Sequence, residues 1–306
     1  MNSPNDRSGR SDPATRGLAF GLAAYALWGV LPIYFKALAG VAPTDIVAHR
    51  IVWSLPFLAV LILSVGQSQA VRDALRNRRA MGLLMLTATL IGINWLLYVY
   101  AVTSGHILAA SLGYYLNPLA NVLLGRFILK ERLTGAQWLA VALALCGVIA
   151  LAIGALGQLW ISLALCGSFA LYGLLRKIAP VESLPGLAVE TALLFPLAIA
   201  WLAWGAAAGT AIFGTTTAEA WLLTLAGIIS TTPLLLFTAA ARRLRYSTLG
   251  MLQFIAPTVQ FILAVALYGE RFTTAHGIAF GAIWVAIGIY VVSLVRQANP
   301  TITPPE

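Results

Sequence analysis

The chain has 306 residues, 60% of them hydrophobic and only 9% charged, with 19 Lys and Arg against 10 Asp and Glu for a net charge of +9. A soluble domain carries about 25% charged residues, so this composition excludes a water-exposed globule and makes lipid the solvent. The two cysteines, Cys146 and Cys166, sit in apolar runs and read as small core side chains, not as a disulfide or a metal site.

Residues 1–16 are polar and rich in Ser, Asp, Pro and Arg, and are expected to form a disordered cytoplasmic N-terminus. A helix needs about 20 apolar residues to cross the hydrocarbon core. Ten such segments follow, at 17–37, 44–65, 80–103, 106–128, 133–153, 157–176, 186–206, 218–240, 247–268 and 275–296. No small-residue cleavage site follows the first apolar run, which is therefore read as a retained span. Residues 297–306 contain three prolines and are expected to form a disordered cytoplasmic tail. The expected fold is an all-α integral membrane protein of ten transmembrane helices.

Three markers recur along the chain. Pro118 with Glu131-Arg132 returns as Pro257 with Glu270-Arg271, Arg50 before Pro56 returns as Glu190 before Pro196, and Ala26-Leu27-Trp28-Gly29 returns as Ala170-Leu171-Tyr172-Gly173. The offsets are 139, 140 and 144 residues, nearly one period. The chain divides into five-helix repeats at 17–153 and 157–296, and an odd number of crossings inverts the second against the first. Inverted repeats let a transporter build two alternately open faces from one unit.

Basic residues set the orientation. With the N-terminus in the cytoplasm, sixteen Lys and Arg residues fall on the cytoplasmic side, only Lys36 and Arg271 fall outside, and Arg50 lies within a span. Both termini are therefore expected inside. The positive charge becomes a topology signal, which leaves no case for nucleic acid as a partner.

Polar side chains inside lipid prefer the bundle interior. In the first segment Tyr25, Trp28, Gly29 and Pro32 share a helical face; in the third, Asn94, Trp95 and Tyr98; in the fourth, Tyr114, Asn117 and Asn121; in the ninth, Gln253, Pro257 and Gln260. These stripes outline an aromatic cavity with a few amides, suited to a small amphipathic or aromatic solute and poorly suited to a bare ion. The alternative is ordinary hydrogen bonding between helices.

Arg50 lies about two turns from the outer end of the second segment. A charge at the bilayer centre costs about 2.5–3.5 kcal/mol, so Arg50 reads either as a solute or gating contact or as a side chain snorkelling to the headgroups. Matching depth and opposite charge point to two gates: Arg50 with Glu270 outside, and Glu190 with Arg132 or Arg176 inside. Glu190 also reads as a first-turn carboxylate favoured by the helix dipole. His49 is the side chain best suited to proton handling, although an interfacial ring bonded to backbone or water is the plainer reading. Pro118 and Pro257 interrupt the fourth and ninth helices at equivalent points and read as hinges.

Trp28-Gly29-Val30-Leu31-Pro32-Ile33-Tyr34-Phe35-Lys36, Ala48-His49-Arg50-Ile51-Val52-Trp53-Ser54 and Tyr114-Tyr115-Leu116-Asn117-Pro118-Leu119 resemble the RarD proteins of the EamA branch of the drug/metabolite transporter superfamily. Leu171-Tyr172-Gly173-Leu174-Leu175-Arg176-Lys177, Glu190-Thr191 and Gln253-Phe254-Ile255-Ala256-Pro257-Thr258 extend the resemblance over nearly the whole chain. It implies a bacterial inner-membrane carrier of five-plus-five inverted helices. It links the chain by name to chloramphenicol sensitivity, and related members export amino acids and small metabolites. It carries over Trp28, His49, Arg50, Tyr114, Asn117, Tyr172, Glu190 and Gln253 as motif positions, with Tyr172 joining the cavity set.

The expected function is secondary active or facilitative transport, in the export direction, of small organic or amphipathic aromatic compounds by alternating access. The cavity would be lined by Trp28, Arg50, Trp95, Tyr98, Tyr114, Asn117, Tyr172, Gln253 and Gln260. No HExxH, GxSxG, Walker lysine loop or aspartate-rich pair is present, so no catalytic residue, cofactor or metal is expected. An enzyme acting on a lipid-linked substrate and a membrane scaffold that transports nothing stand as rival readings. The partners are the solute and the bilayer, with proton coupling through His49 or Glu190 left open, and the chain works as a monomer or homodimer.

Overall fold

The computed structural model describes residues 13–152, 157, 159–210, 213–214, 216–267 and 274–298. Among them every regular element is a helix: α1 (Pro13–Ala37), α2 (Pro43–Val65), α3 (Ser68–Arg76), α4 (Arg78–Thr103), α5 (Ile107–Phe127), α6 (Gly135–Ala152), α7 (Leu159–Ile178), α8 (Ser183–Ala207), α9 (Thr217–Ala241), α10 (Tyr246–Gln253), α11 (Ile255–Ala266) and α12 (Thr274–Ala298). α1, α2, α4, α7, α8, α9 and α12 are long and apolar enough to cross a membrane. Large apolar side chains face outward around the bundle, with Leu63 72%, Leu197 70% and Trp204 63% exposed. Soluble monomers do not present such continuous apolar surface, so these side chains are lipid-facing.

Helix runs along each segment read from the sequence, with two departures. The stretch between the second and third segments, read as a loop, holds α3, a nine-residue helix. It is too short and polar to span, but Ala74 and Val71 give it one apolar edge, which packs with Ala80, Leu84, Val181 and Val189. The ninth segment is two helices, α10 and α11, parted at Phe254. Pro257 lacks the N–H that would bond the Gln253 carbonyl four residues back. Phe254 N instead reaches the Met251 carbonyl at 3.4 Å, and the ladder resumes with Thr258 N on the Phe254 carbonyl at 3.1 Å. Pro118, by contrast, lies inside an unbroken α5. Residues 13–16 of the expected N-terminal tail belong to α1, and the rest of both tails lies outside the described residues.

Local signals set several helix ends. Pro43 opens α2, and Gly66, at φ 72°, closes it in the left-handed region that glycine adopts without strain. Asn77 Oδ1 accepts from Ala80 N at 3.1 Å to cap α4. Thr216 and Glu219 form a reciprocal capping box on α9.

The two halves interlock. α2 packs on α8 and α9, α4 on α7 and α8, α1 on α9 and α11, α5 on α7 and α10, and α6 on α12. α9 comes so close to α2 that a Cβ on Gly227 would run into the backbone of Trp53 and Ser54. At the end where α2 and α7 finish, Arg72, Arg76, Arg126, Arg132, Arg176, Lys177, Arg242, Arg243 and Arg245 are gathered.

Candidate functional site

Helical periodicity brings one stripe from each of four elements onto a common space. α1 contributes Tyr25, Trp28, Pro32 and Phe35; α4 contributes Ile91, Asn94, Trp95 and Tyr98; α5 contributes Ser111, Tyr114 and Tyr115; the α10–α11 segment contributes Gln253, Ala256, Pro257 and Gln260. Val47 and Arg50 of α2, Phe169 of α7 and Leu234 of α9 complete a cavity of about 340 Å³. Its inner residues, Tyr25, Ile91, Asn94 and Gln253, are buried, whereas Ser111 and Gln260 are exposed. The cavity thus rises from mid-bundle toward the end where α1 and α4 finish.

The cavity is rich in aromatic rings. Among the described residues Arg50 is the only ionised side chain in the lining. Its guanidinium carbon lies 4.2 Å from the centroid of the Trp95 ring, a cation–π contact that steadies a charge away from water. Its buried Nε has no hydrogen-bond partner. Tyr98 and Tyr114 stand 5.8 Å apart, centroid to centroid, beside it. The amides tie the walls together. Asn94 Nδ2 donates to the Leu165 carbonyl at 2.9 Å and to Ser168 Oγ at 3.0 Å. Gln253 Oε1 accepts from Asn121 Nδ2 at 2.8 Å, and Gln260 Nε2 donates to the Trp28 carbonyl at 3.1 Å.

Beyond the floor the bundle is closed. Phe237 lies 5.2 Å from Phe169, 5.6 Å from Trp28 and stacks on Tyr172 at 6.4 Å between centroids. Tyr25 OH donates to the Leu249 carbonyl at 3.2 Å and Tyr246 OH to the Ala170 carbonyl at 2.7 Å. Further along, Arg176 Nε meets Glu190 Oε1 at 3.5 Å, while Thr87 and Tyr172 hydroxyls donate to the same carboxylate at 2.5 and 3.2 Å. Glu131 accepts from Tyr246 N at 2.5 Å, Ser247 N at 3.0 Å and Ser247 Oγ at 2.6 Å, capping the N-terminus of α10.

The EamA-like transporter family matches residues 15–153. An uncharacterized transporter of Pseudomonas aeruginosa is 47% identical over 279 residues, covering 90% of this chain and 93% of its own. Protein RarD of Escherichia coli is 43% identical over 294 residues, covering 94% and 97%. The chain belongs to the RarD/EamA family of transporters. A solved crystal structure at 20% identity, covering 91% of this chain and 98% of its own with a TM-score of 0.73, shares the fold. This RarD/EamA protein is accordingly a membrane transporter of the drug/metabolite type.

In this RarD/EamA chain, Trp28, Arg50, Trp95, Tyr98, Tyr114, Gln253 and Gln260 line the cavity. Asn117 and Tyr172 do not. Asn117 shares a stripe with Tyr114, but it is fully buried outside the lining, and neither polar atom of its amide has a partner. Tyr172 lies one turn beyond Phe169, which covers it, and its hydroxyl is spent on Glu190. Glu190 meets Arg176 and not Arg132, which is exposed and receives Arg245 on its backbone carbonyl. His49 is buried against Phe213, 5.2 Å between rings, and is not part of the lining. Glu270, expected opposite Arg50, lies outside the described residues. Cys166 is buried, but Cys146 is exposed rather than a core side chain.

Sequence reasoning missed Phe169, Phe237 and the capping role of Glu131. The aromatics sit singly in apolar runs and give no periodic signal. Glu131 carried one, its repetition as Glu270, but was read as a charge where a helix leaves the membrane.

Proposed function

We propose that the chain is a secondary active or facilitative carrier of small amphipathic or aromatic solutes, working by alternating access. The observation that carries this reading is an asymmetry. A cavity opens from mid-bundle toward one end, while the opposite end is sealed by the Phe237 aromatic cluster, the Arg176–Glu190 pair and the Glu131 cap. On this reading the structure is one of two access states.

The helix packing supports five-plus-five repeats. Exchanging each segment for its counterpart turns α1 on α9 into α7 on α4, α2 on α9 into α8 on α4, and α5 on α7 into α10–α11 on α1, and all of these contacts occur. α2 on α8, α5 on α10 and α6 on α12 map onto themselves. One departure from the symmetry supports two access states. α7 touches α9, whereas their counterparts α1 and α4 stand on facing walls of the cavity. The basic residues gathered at the sealed end support a cytoplasmic side for that end and both termini by the positive-inside rule, and on this reading the cavity faces the periplasm.

The test is counterflow in proteoliposomes of purified protein, with labelled amino acids, aromatic metabolites and chloramphenicol, and Arg50→Ala alongside. Saturable uptake lost in a folded Arg50→Ala supports a carrier with Arg50 on the path. Uptake indifferent to the substitution removes Arg50 from the path. Covalent turnover of a lipid in place of uptake overturns the carrier reading.

A further inference from the structure

We propose that the cavity selects an aromatic monocarboxylate, with the solute's carboxylate on the guanidinium of Arg50 and its ring among Trp28, Tyr98 and Tyr114. This inference rests on the carrier reading and names the substrate class of the same site.

Charge accounting comes first. A buried charge persists only when paired, solvated or functional. Among the described residues no carboxylate pairs with Arg50. The acids on neighbouring helices are already engaged: Asp45 accepts from Trp201 Nε1 at 2.8 Å, and Glu190 is held by Arg176, Thr87 and Tyr172. Among the described residues the charge of Arg50 is therefore uncompensated, and an anion would neutralise it.

Geometry then narrows the anion. The guanidinium carbon lies over the Trp95 ring. A guanidinium presents its N–H groups as a planar fork that matches the two oxygens of a carboxylate. The buried Nε makes no hydrogen bond, so the protein does not use the full donor capacity of the guanidinium. Trp28, Tyr98, Tyr114, Tyr115 and Phe169 add aromatic surface to the other walls, which favours offset or edge contacts with a ring. A volume of about 340 Å³ suits a small aromatic acid.

The lining also discriminates. Among its described residues there is no carboxylate to receive an ammonium group, so a zwitterionic aromatic amino acid buries its ammonium without an acidic partner there. A neutral amide of the same shape forgoes the charge-assisted bonds.

Isothermal titration of the purified full chain with 3-phenylpropionate, 3-phenylpropionamide and phenylalanine tests this directly. The acid is expected to bind at least about tenfold more tightly than either comparison compound, the equivalent of one charge-assisted hydrogen bond. Arg50→Gln is expected to abolish the preference for acid over amide, and Arg50→Lys to restore part of it. Equal binding of acid and amide by the native chain overturns the inference without need of any variant. So does tighter binding of phenylalanine, binding of none of the three, or an acid preference that survives Arg50→Gln. The carrier reading fails separately: acid that binds selectively but shows no counterflow refutes transport and leaves the selectivity standing, while counterflow of the amide as fast as of the acid does the reverse.

Discussion

Arg176 and Glu190 meet at 3.5 Å with 0% and 2% of their side chains exposed, one helix turn beyond the aromatic floor of the cavity. Two charges so placed are costly unless the surroundings complete them. Glu190 also takes the Thr87 and Tyr172 hydroxyls, and Arg176 Nη2 donates to the carbonyls of Glu182 at 3.3 Å and Ser183 at 3.1 Å. Gly186 leaves room for the guanidinium, since a Cβ there would overlap it. Removing one partner strands the other charge. Glu190→Gln and Arg176→Gln are each expected to destabilise by about 3–5 kcal/mol, measured by thermal unfolding in detergent. Arg176→Met with Glu190→Leu should recover part of the loss. Additive losses in that double variant would show that the pair does not act as a unit.

Glu131 ties the end of α5 to the start of α10 through two backbone amides and a hydroxyl. Glu131→Gln keeps the shape and removes the charge at the helix N-terminus. The expected cost is about 1–2 kcal/mol, with faster reaction of a cysteine placed at Ser247 toward a water-soluble thiol reagent from the cytoplasmic side. Unchanged reactivity would mean that the cap does not hold this end shut.

Gly227 marks the closest approach of α9 to α2, reinforced by the Thr231 hydroxyl on Ser54 Oγ at 2.5 Å. Gly227→Ala should separate the helices at a cost of about 1–3 kcal/mol. Gly281→Ala, where a Cβ would meet nothing within 4 Å, serves as the comparison. Equal melting temperatures for the two variants would contradict the packing.

Gln253 lines the cavity and Asn117 does not, although both sit in proline-containing segments. In a Cys146→Ala background, Gln253→Cys is expected to react with a water-soluble thiol reagent added outside, and Asn117→Cys to be protected. Labelling of both at one rate would place Asn117 in a wet space.

Pro257 deprives the Gln253 carbonyl of its helical donor, beside the break at Phe254. Pro257→Ala should join α10 to α11, raise or maintain the melting temperature, and slow counterflow. A variant that transports at the native rate would remove Pro257 as a hinge. Pro118 presents differently: its carbonyl faces Gly250 of α10, where a Cβ would lie 2.7 Å away, so it marks a crossing of two helices and not a break.

The stripes on α1 and α4 were legible because side chains three, four and seven residues apart share a helical face, and Trp28, Trp95 and Tyr98 reach the cavity for that reason. Asn117 shows where this logic stops. It lies near Tyr114 on the helix, but the angle between them is enough to turn one side chain into the cavity and the other into the packing beside it. Glu190 was legible as a buried acid, yet Arg132 and Arg176 were equivalent partners until the end of α7 was set against the start of α8. α3 was missed because its apolar edge is two side chains wide.

Composition alone made lipid the solvent, since 9% charged residues cannot clothe a chain of this size in water. Apolar length laid out the helical segments, and proline marked two equivalent points, of which only Pro257 stands beside a break in the structure. These are properties of the chain read locally, each decided by the cost of a polar group in hydrocarbon. Only the tertiary structure decided which acid meets which base, which end is sealed by Phe237 and Tyr172, and that Arg50 lies over Trp95 in the cavity wall. Periodicity fixes a face on a helix. The rotation and depth at which that face meets its neighbours come from packing between segments up to 232 residues apart, as Trp28 and Gln260 are.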